Sequence, residues 1–411
     1  MMLVLYIDPG TGSMLFSIVI GLVTALYFLG KAAIIKLKFV FSGGKATHSK
    51  NHYPLVIYSE GTRYWNVFKP VLEALEKRNF DTVFYTSSED DPFFASEWKH
   101  ITGEFIGEGN KAFTRLNFLE ADVCLMTTPG LDVYQLKRSK GVAHYAHILH
   151  AVDDATGYRL FGLDYYDSVL LSGEYQKAHI RVLEGQRKIK EKELVVVGCP
   201  YLDVLQEKIA DLPKRNDSAF TVLVAPSWGP SGILSRYGTA LLDALVQTGF
   251  HIIVRPHPQS KQSEKDVLDQ LEATYRDASN LEWDYSAENL SSLSRSDIMI
   301  SDFSGVIFDY TFLFDRPFLY VNSEFDASPY DSYDIEEEPW KFRVLPEIGI
   351  ELKQEDFAGI REVLLSATNS SILQEKRKIA RDTAWHHRGE SGERVADFLC
   401  ETVETMREGR T

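Results

Sequence analysis

Four short segments carry residue types at spacings that suit chemistry on an anionic substrate. In Ile298-Met299-Ile300-Ser301-Asp302-Phe303-Ser304-Gly305-Val306-Ile307-Phe308-Asp309-Tyr310, apolar residues lead into a polar turn and then a helical pattern, so Ser304 and Gly305 fall where a helix begins. Free N–H groups and the positive end of the helix dipole at Ser304–Val306 suit a phosphate, and a glycine lets the ligand approach closely. Asp302 or Ser304 would serve equally as a plain N-cap. In His251-Ile252-Ile253-Val254-Arg255-Pro256-His257-Pro258, a buried strand ends in two groups stiffened by prolines. Arg255 offers a bidentate fork for phosphate, and His257 can donate a hydrogen bond or a proton at neutral pH. The plainer alternative is a histidine that ends a strand.

The third segment, Val142 to Asp154, holds His144, His147 and His150. On a strand, His144 and His150 share a face and His147 points the other way, which speaks against one metal site built from all three. His150 falls at the strand's carboxyl end, just before Asp153 and Asp154. It is the general-base candidate of the first half, with a strand-end histidine beside solvated acids as the alternative. The fourth segment, Ser227-Trp228-Gly229, follows the strand Val222–Ala225 and would either stack a base or close a turn. The acidic stretch Asp326 to Glu338 reads as a solvated loop.

These groups need a scaffold, and the composition bounds it. The 411 residues carry 44 basic and 59 acidic side chains, a balance of −15, with 44% hydrophobic and 25% charged residues. That is ordinary globular usage with room for two domains, and it excludes a disordered chain. The acid excess argues against a nucleic-acid partner, which would need a basic face. Cys124, Cys199 and Cys400 lie far apart, without a C-x-x-C pair, so neither a disulfide framework nor a cysteine-only zinc site is expected. No G-x-x-x-x-G-K-[ST] loop occurs, and no strand is followed by G-x-G-x-x-G.

From Pro9 to Gly30 there is no charged side chain. As a helix this stretch reaches roughly 33 Å, enough to cross a hydrocarbon core of about 30 Å. Asp8 precedes it, and Lys31, Lys36, Lys38, Lys45 and Lys50 follow. The charge asymmetry predicts a single-span anchor over residues 1–45, with its N-terminus outside and the remaining chain in the cytoplasm. A buried core helix is the alternative.

After the anchor, β-rich runs alternate with amphipathic stretches. Strands are expected at Pro54–Ser59, Thr82–Thr86, Asp122–Thr127, Val142–Leu149, Ser168–Leu171 and Leu194–Val197, with helices near Trp65–Arg78, Lys111–Glu120 and Glu174–Leu183. A polar linker at 212–218 precedes a second series. Its strands are expected at Phe220–Ala225, His251–Val254, Ile298–Ile300 and Phe318–Val321, and its helices near Thr239–Thr248, Lys265–Arg276 and Gly305–Leu313. This alternation predicts an α/β protein of two Rossmann-like, doubly wound domains facing a cleft, at 50–212 and 218–375, with C-terminal helices at 376–411. Ligands on such sheets sit at the carboxyl ends of the strands.

The order of motifs resembles the CDP-glycerol glycerophosphotransferases of teichoic-acid synthesis. The resemblance rests on Val224-Ala225-Pro226-Ser227-Trp228, Arg255-Pro256-His257-Pro258, Ser301 to Tyr310, and Asp315-Arg316-Pro317-Phe318-Leu319-Tyr320. Ser172-Gly173-Glu174-Tyr175, the run Val197 to Leu205, and Gly389-Glu390-Ser391-Gly392-Glu393-Arg394-Val395 add to it. It spans roughly residues 140 to 400. The resemblance implies a GT-B-like fold, here preceded by one transmembrane helix, with the donor nucleotide held mainly by the second domain. His150 stands where the family has the histidine of a W-H-G-T-P-x-K signature, thought to act as base, although the glycine, proline and lysine are absent. The family's paired serines are here Ser304 and Gly305.

The activity this implies is transfer of a glycerol-phosphate or related group from a CDP-linked polyol donor to a lipid-linked or polymer acceptor at the bacterial cell membrane. His150 and His257 are the expected catalytic residues. Arg255, Asp302, Ser304, Gly305, Val306 and Ser227 are expected to bind the donor phosphates. No tightly bound metal is expected, and Mg²⁺ escorting the donor diphosphate is compatible with this reading. A nucleotide-sugar glycosyltransferase or epimerase on the same fold, and a non-catalytic scaffold of envelope synthesis, are the alternatives.

Overall fold

The computed structural model describes residues 52–213, 219–322 and 325–409. The expected span Pro9–Gly30 and most of the linker lie outside the described residues. Among the described residues, no helix is long and apolar enough to cross a membrane.

Tyr53–Thr411 forms one compact unit. Its first sheet contains β1 (Tyr53–Ser59), β2 (Thr82–Thr86), β3 (Ile101–Phe105), β4 (Glu120–Met126), β5 (Gly141–Ile148), β6 (Ser168–Leu171) and β7 (Glu193–Val196). The order is β3-β2-β1-β4-β5-β6-β7, and every pairing is parallel. The second sheet contains β8 (Thr221–Val224), β9 (His251–Val254), β10 (Leu281–Trp283), β11 (Ile298–Ser301), β12 (Phe318–Tyr320) and β13 (Ile350–Glu351). Its order is β10-β9-β8-β11-β12-β13, again parallel throughout.

The central strands read as unbroken apolar runs because both of their faces are covered. In β1, Leu55 and Ile57 enter one core while Val56 and Tyr58 enter the core on the opposite face. Helix α1 (Trp65–Lys77) turns the stripe Val67, Phe68, Val71, Leu72 and Leu75 into the first of these cores. Each sheet reverses its strand order once, between β1 and β4 and between β8 and β11. A crevice therefore opens at the carboxyl ends of those strands.

The two halves are joined by more than the linker. Val152, Cys199 and Leu202 of the first half share a buried core with Leu223, Ile253, Ile307 and Phe308 of the second. Helix α2 (Pro200–Ile209) follows β7 on the first half, and α3 (Ile233–Gln247), α4 (Val306–Phe314) and α5 (Trp340–Ile348) belong to the second. Asp154 caps α5 across the boundary, accepting from Trp340 N and Lys341 N at 2.9 Å each. The acidic stretch departs from its expected solvated state. Asp331 is buried, binds Arg187 at 2.7 Å and accepts from Phe161 N at 2.7 Å, and Asp334 also reaches Arg187 at 2.8 Å. A buried guanidinium needs such partners, so this part of the loop docks on the first half.

The chain ends by crossing back. Helix α6 (Ser371–Ala384) packs on the second half, and α7 (Ser391–Glu408) buries Val395, Ala396, Leu399 and Val403 in the core beside α1. Asp203 of α2 fixes the crossover, accepting from Trp385 Nε1 at 2.8 Å, from Ser391 N at 3.1 Å and from the Ser391 hydroxyl. Two glycines allow the approach. Gly198 has φ +95°, and a Cβ there would lie 2.5 Å from His386 O; one on Gly392 would lie 2.7 Å from Pro70.

Candidate active site

The strand ends face one another across a cleft of about 660 Å³. From the second half it is lined by Arg255 and His257 after β9, by Asn289, and by Ser304, Gly305 and Val306 where α4 begins. From the first half come Thr62, Arg63, Trp65 and Asn66 at the start of α1, with Tyr201 and Lys208 on α2. Five of the eight sequence-predicted site residues thus share one lining. His150, Asp302 and Ser227 stand outside it.

Each of the five is positioned by its element. Ile307 N and Phe308 N are taken up by the Ser304 and Gly305 carbonyls, and no side chain caps α4 at Gly305. His257 is held by its own loop: its Nδ1 accepts from Gln259 N at 3.1 Å, so in the neutral ring the proton sits on Nε2. Burial lowers its pKa, opposed by the negative charges of Asp302 and Glu264, so the ring is a neutral hydrogen-bond donor near pH 7. Arg255 is already engaged. Its fork binds Asp284 at 2.5 Å and the Ser286 carbonyl at 2.8 Å. Burial works against the Asp284 charge, but hydrogen bonds from Ser286, Ser292 and Arg255 hold the carboxyl down at about 2. A phosphate at Arg255 would share its guanidinium with Asp284.

Asp302 is buried within the second half. Its Oδ1 accepts from Ser227 N at 2.9 Å and Ser304 N at 3.2 Å, and its Oδ2 accepts from Ile233 N at 3.2 Å. One carboxylate thereby ties the β8 loop, the start of α3 and the turn before α4. Ser227, also buried, is one end of that tie.

His150 lies beyond β5, its ring 5.5 Å from Tyr64 in an edge-on contact. Its Nδ1 is 3.4 Å from the Tyr158 hydroxyl, which lies 3.1 Å from His147 Nε2. Burial lowers the His150 pKa, Asp153 opposes this, and Arg63 adds to it. His147 is fully buried and pushed down to about 3, so it stays neutral; its Nδ1 has no partner. Asp153 pairs with Lys341 at 2.8 Å and approaches within 3.7 Å of where a Cβ on Gly305 would lie. The loop after His150 thus reaches the start of α4 from the first half.

Sequence reasoning missed Tyr201, Asn289 and Asp309. Tyr201 donates to Asp309 at 3.1 Å and Asn289 approaches it at 3.4 Å, beneath the cleft and across the boundary between the halves. Burial pushes the Asp309 carboxyl up to about 7, against those two hydrogen bonds. The signal was present in the sequence, since Asp309 follows Gly305 by about one helical turn and so falls near the same end of α4. Among the described residues, no group of three or more His, Cys, Asp or Glu side chains is disposed to hold a metal ion.

The family of CDP-glycerol:poly(glycerophosphate) glycerophosphotransferases matches residues 163–342, which include Arg255, His257 and the α4 turn. Those residues, under half of the chain, carry a domain of this family's type, and the chain is a transferase of the CDP-glycerol glycerophosphotransferase type. Among solved structures, the wall teichoic acid polymerase TagF, as a histidine-to-asparagine variant soaked with CDPG, is similar with a TM-score of 0.58 and 15% identity over 92% of this chain and 98% of that one. The UDP-GlcNAc 2-epimerase of Methanocaldococcus jannaschii is similar with a TM-score of 0.53 and 15% identity over 84% of this chain and 99% of that one. At such identities the likeness shows the two-domain, GT-B-like fold. No curated protein sequence matches the chain.

Proposed function

We propose that the chain is a membrane-anchored transferase that moves a glycerol-phosphate, or related polyol-phosphate, from a CDP-linked donor to a cell-surface polymer or lipid-linked acceptor. The anchor is the apolar stretch Pro9–Gly30, and the catalytic unit acts on the cytoplasmic face of the bacterial membrane. One observation carries the reading: Arg255, His257 and the uncapped start of α4 converge on one cleft, in the part of the chain that matches the family.

The donor diphosphate lies against the N–H groups of Gly305 and Val306, where the helix dipole favours negative charge, while the Ser304 N–H stays on Asp302. Nε2–H of His257 donates to a phosphate oxygen, and Arg255 shares its fork between Asp284 and the phosphates. Asp302 and Ser227 hold the turn that presents these groups. The acceptor hydroxyl attacks the β-phosphorus, its proton passes to His150 Nε2, the bond from phosphorus to the bridging oxygen breaks, and CMP leaves with that oxygen. For this role His150 carries its resting proton on Nδ1 and donates it to Tyr158, whose hydroxyl in turn donates to His147 Nε2. Positioned proton transfer and charge stabilisation each supply about 10²–10³ in rate.

The test offers the purified chain CDP-glycerol and a panel of UDP-sugars and follows nucleotide release. CMP release with CDP-glycerol is expected. UDP release instead would assign a nucleotide-sugar enzyme, and failure to bind CDP or CMP at all would leave a scaffold.

A further inference from the structure

The loop between β8 and α3 presents a large aromatic side chain that the mechanism above does not use. Trp228 is 48% exposed although it stands at the carboxyl edge of the second sheet, one strand from His257. Its ring lies 6.4 Å from the His257 imidazole, tilted by 35°. Both ends of the loop are pinned by Asp302, through Ser227 N at one end and Ile233 N at the other. Trp228 is therefore carried on a short span of fixed ends, between the β9 end that bears His257 and the β11 end that leads into Ser304 and Gly305.

An indole held open beside His257 gains apolar contact when a ligand covers its face. A diphosphate offers it little, because a π face repels anions. A three-carbon polyol offers C–H groups on one side and hydroxyls on the other, and an aromatic wall suits the former. The Arg255–Asp284–Ser286 cluster lies toward β10, on the far side of His257 from Trp228. The nucleotide and the transferred group would then extend in opposite directions from the phosphates.

We propose that Trp228 packs against the transferred polyol and is a specificity-determining residue for the donor. This rests on the donor reading given above. The binding step breaks and forms no covalent bond.

The experiment compares the full-length chain with W228A and W228F, measuring KM and kcat for CDP-glycerol and the affinity for CMP. Loss of one aromatic face is expected to raise KM for CDP-glycerol roughly tenfold in W228A, with CMP affinity within about twofold of the parent. W228F is expected to recover most of the loss. In W228A the preference for CDP-glycerol over a CDP-linked polyol of five carbons should also fall. An equal loss of CMP affinity would overturn the proposal by assigning Trp228 to the nucleotide, and unchanged constants for both ligands would overturn it outright. If the parent chain binds neither ligand, the donor reading itself fails, an outcome distinct from the other two. Matching thermal midpoints for parent and variants separate all of these from misfolding.

Discussion

Asp309→Asn isolates the energetic cost of a carboxyl placed under the cleft without a cation. The folded carboxyl titrates at about 7, against an ordinary value of 3.8. Below the ordinary value both states are protonated and the group contributes no pH dependence. Between the two values the native state holds a proton that the unfolded chain has released, so stability falls as pH rises. Above the folded value the full cost is present, about 3 pH units at 1.36 kcal/mol each, or roughly 4 kcal/mol. Asparagine keeps the shape and still accepts from Tyr201 and Asn289 but does not ionise. The variant should match the parent near pH 4 and exceed it by up to about 4 kcal/mol at pH 8. Urea denaturation of parent and variant at intervals from pH 4 to 8 measures the difference, and the other titrating groups cancel within it. A difference that does not change with pH would mean that the carboxyl ionises equally in both states, and burial would then impose no cost on it.

Three further outcomes are expected. His150→Ala and His257→Ala should each lose about 10²–10³ in turnover while the circular dichroism and thermal midpoint stay unchanged; near-full activity in either would remove that residue from the mechanism. Tyr158→Phe removes the hydroxyl that holds His150 Nδ1 and should lower kcat by about tenfold with little change in KM, since orientation and not binding is lost; steady-state kinetics decides it. Asp203→Ala strands the Trp385 indole N–H together with the Ser391 N–H and hydroxyl, at about 1–3 kcal/mol for each group left without a partner. Helix α7 should then become susceptible to limited proteolysis, and an intact C-terminus would contradict that account.

Much of the scaffold was legible because parallel strands buried on both faces write themselves as short apolar runs. Tyr53–Ser59, Thr82–Thr86 and His251–Val254 fall within a residue of where the periodicity put them. Ile101–Phe105 was not legible, since Thr102, Gly103 and Glu104 give an edge strand no apolar run. The helix expected at Lys111–Glu120 stops at Leu116, because Glu120 already pairs with Gly141 as the start of β4. At the site, strand ends and a helix start were readable from local order, which is why Arg255, His257 and Ser304–Val306 line one cleft. Sequence alone could not tell that the motifs Val197–Leu205 and Gly389–Val395 meet each other through Asp203 and Ser391, nor that Tyr201 reaches Asp309 over 108 positions. Those are pairings between halves, and no local pattern encodes a partner that distant.

The proposed reaction moves the β-phosphoryl group of the donor with the polyol attached. CDP-glycerol labelled with ³²P at the β-phosphorus, incubated with the chain and acceptor-bearing membranes, tests it directly. Label is expected in the membrane fraction, with an equal molar amount of unlabelled CMP in solution. Label retained in a soluble nucleotide, or released as free glycerol phosphate without membrane incorporation, would contradict it.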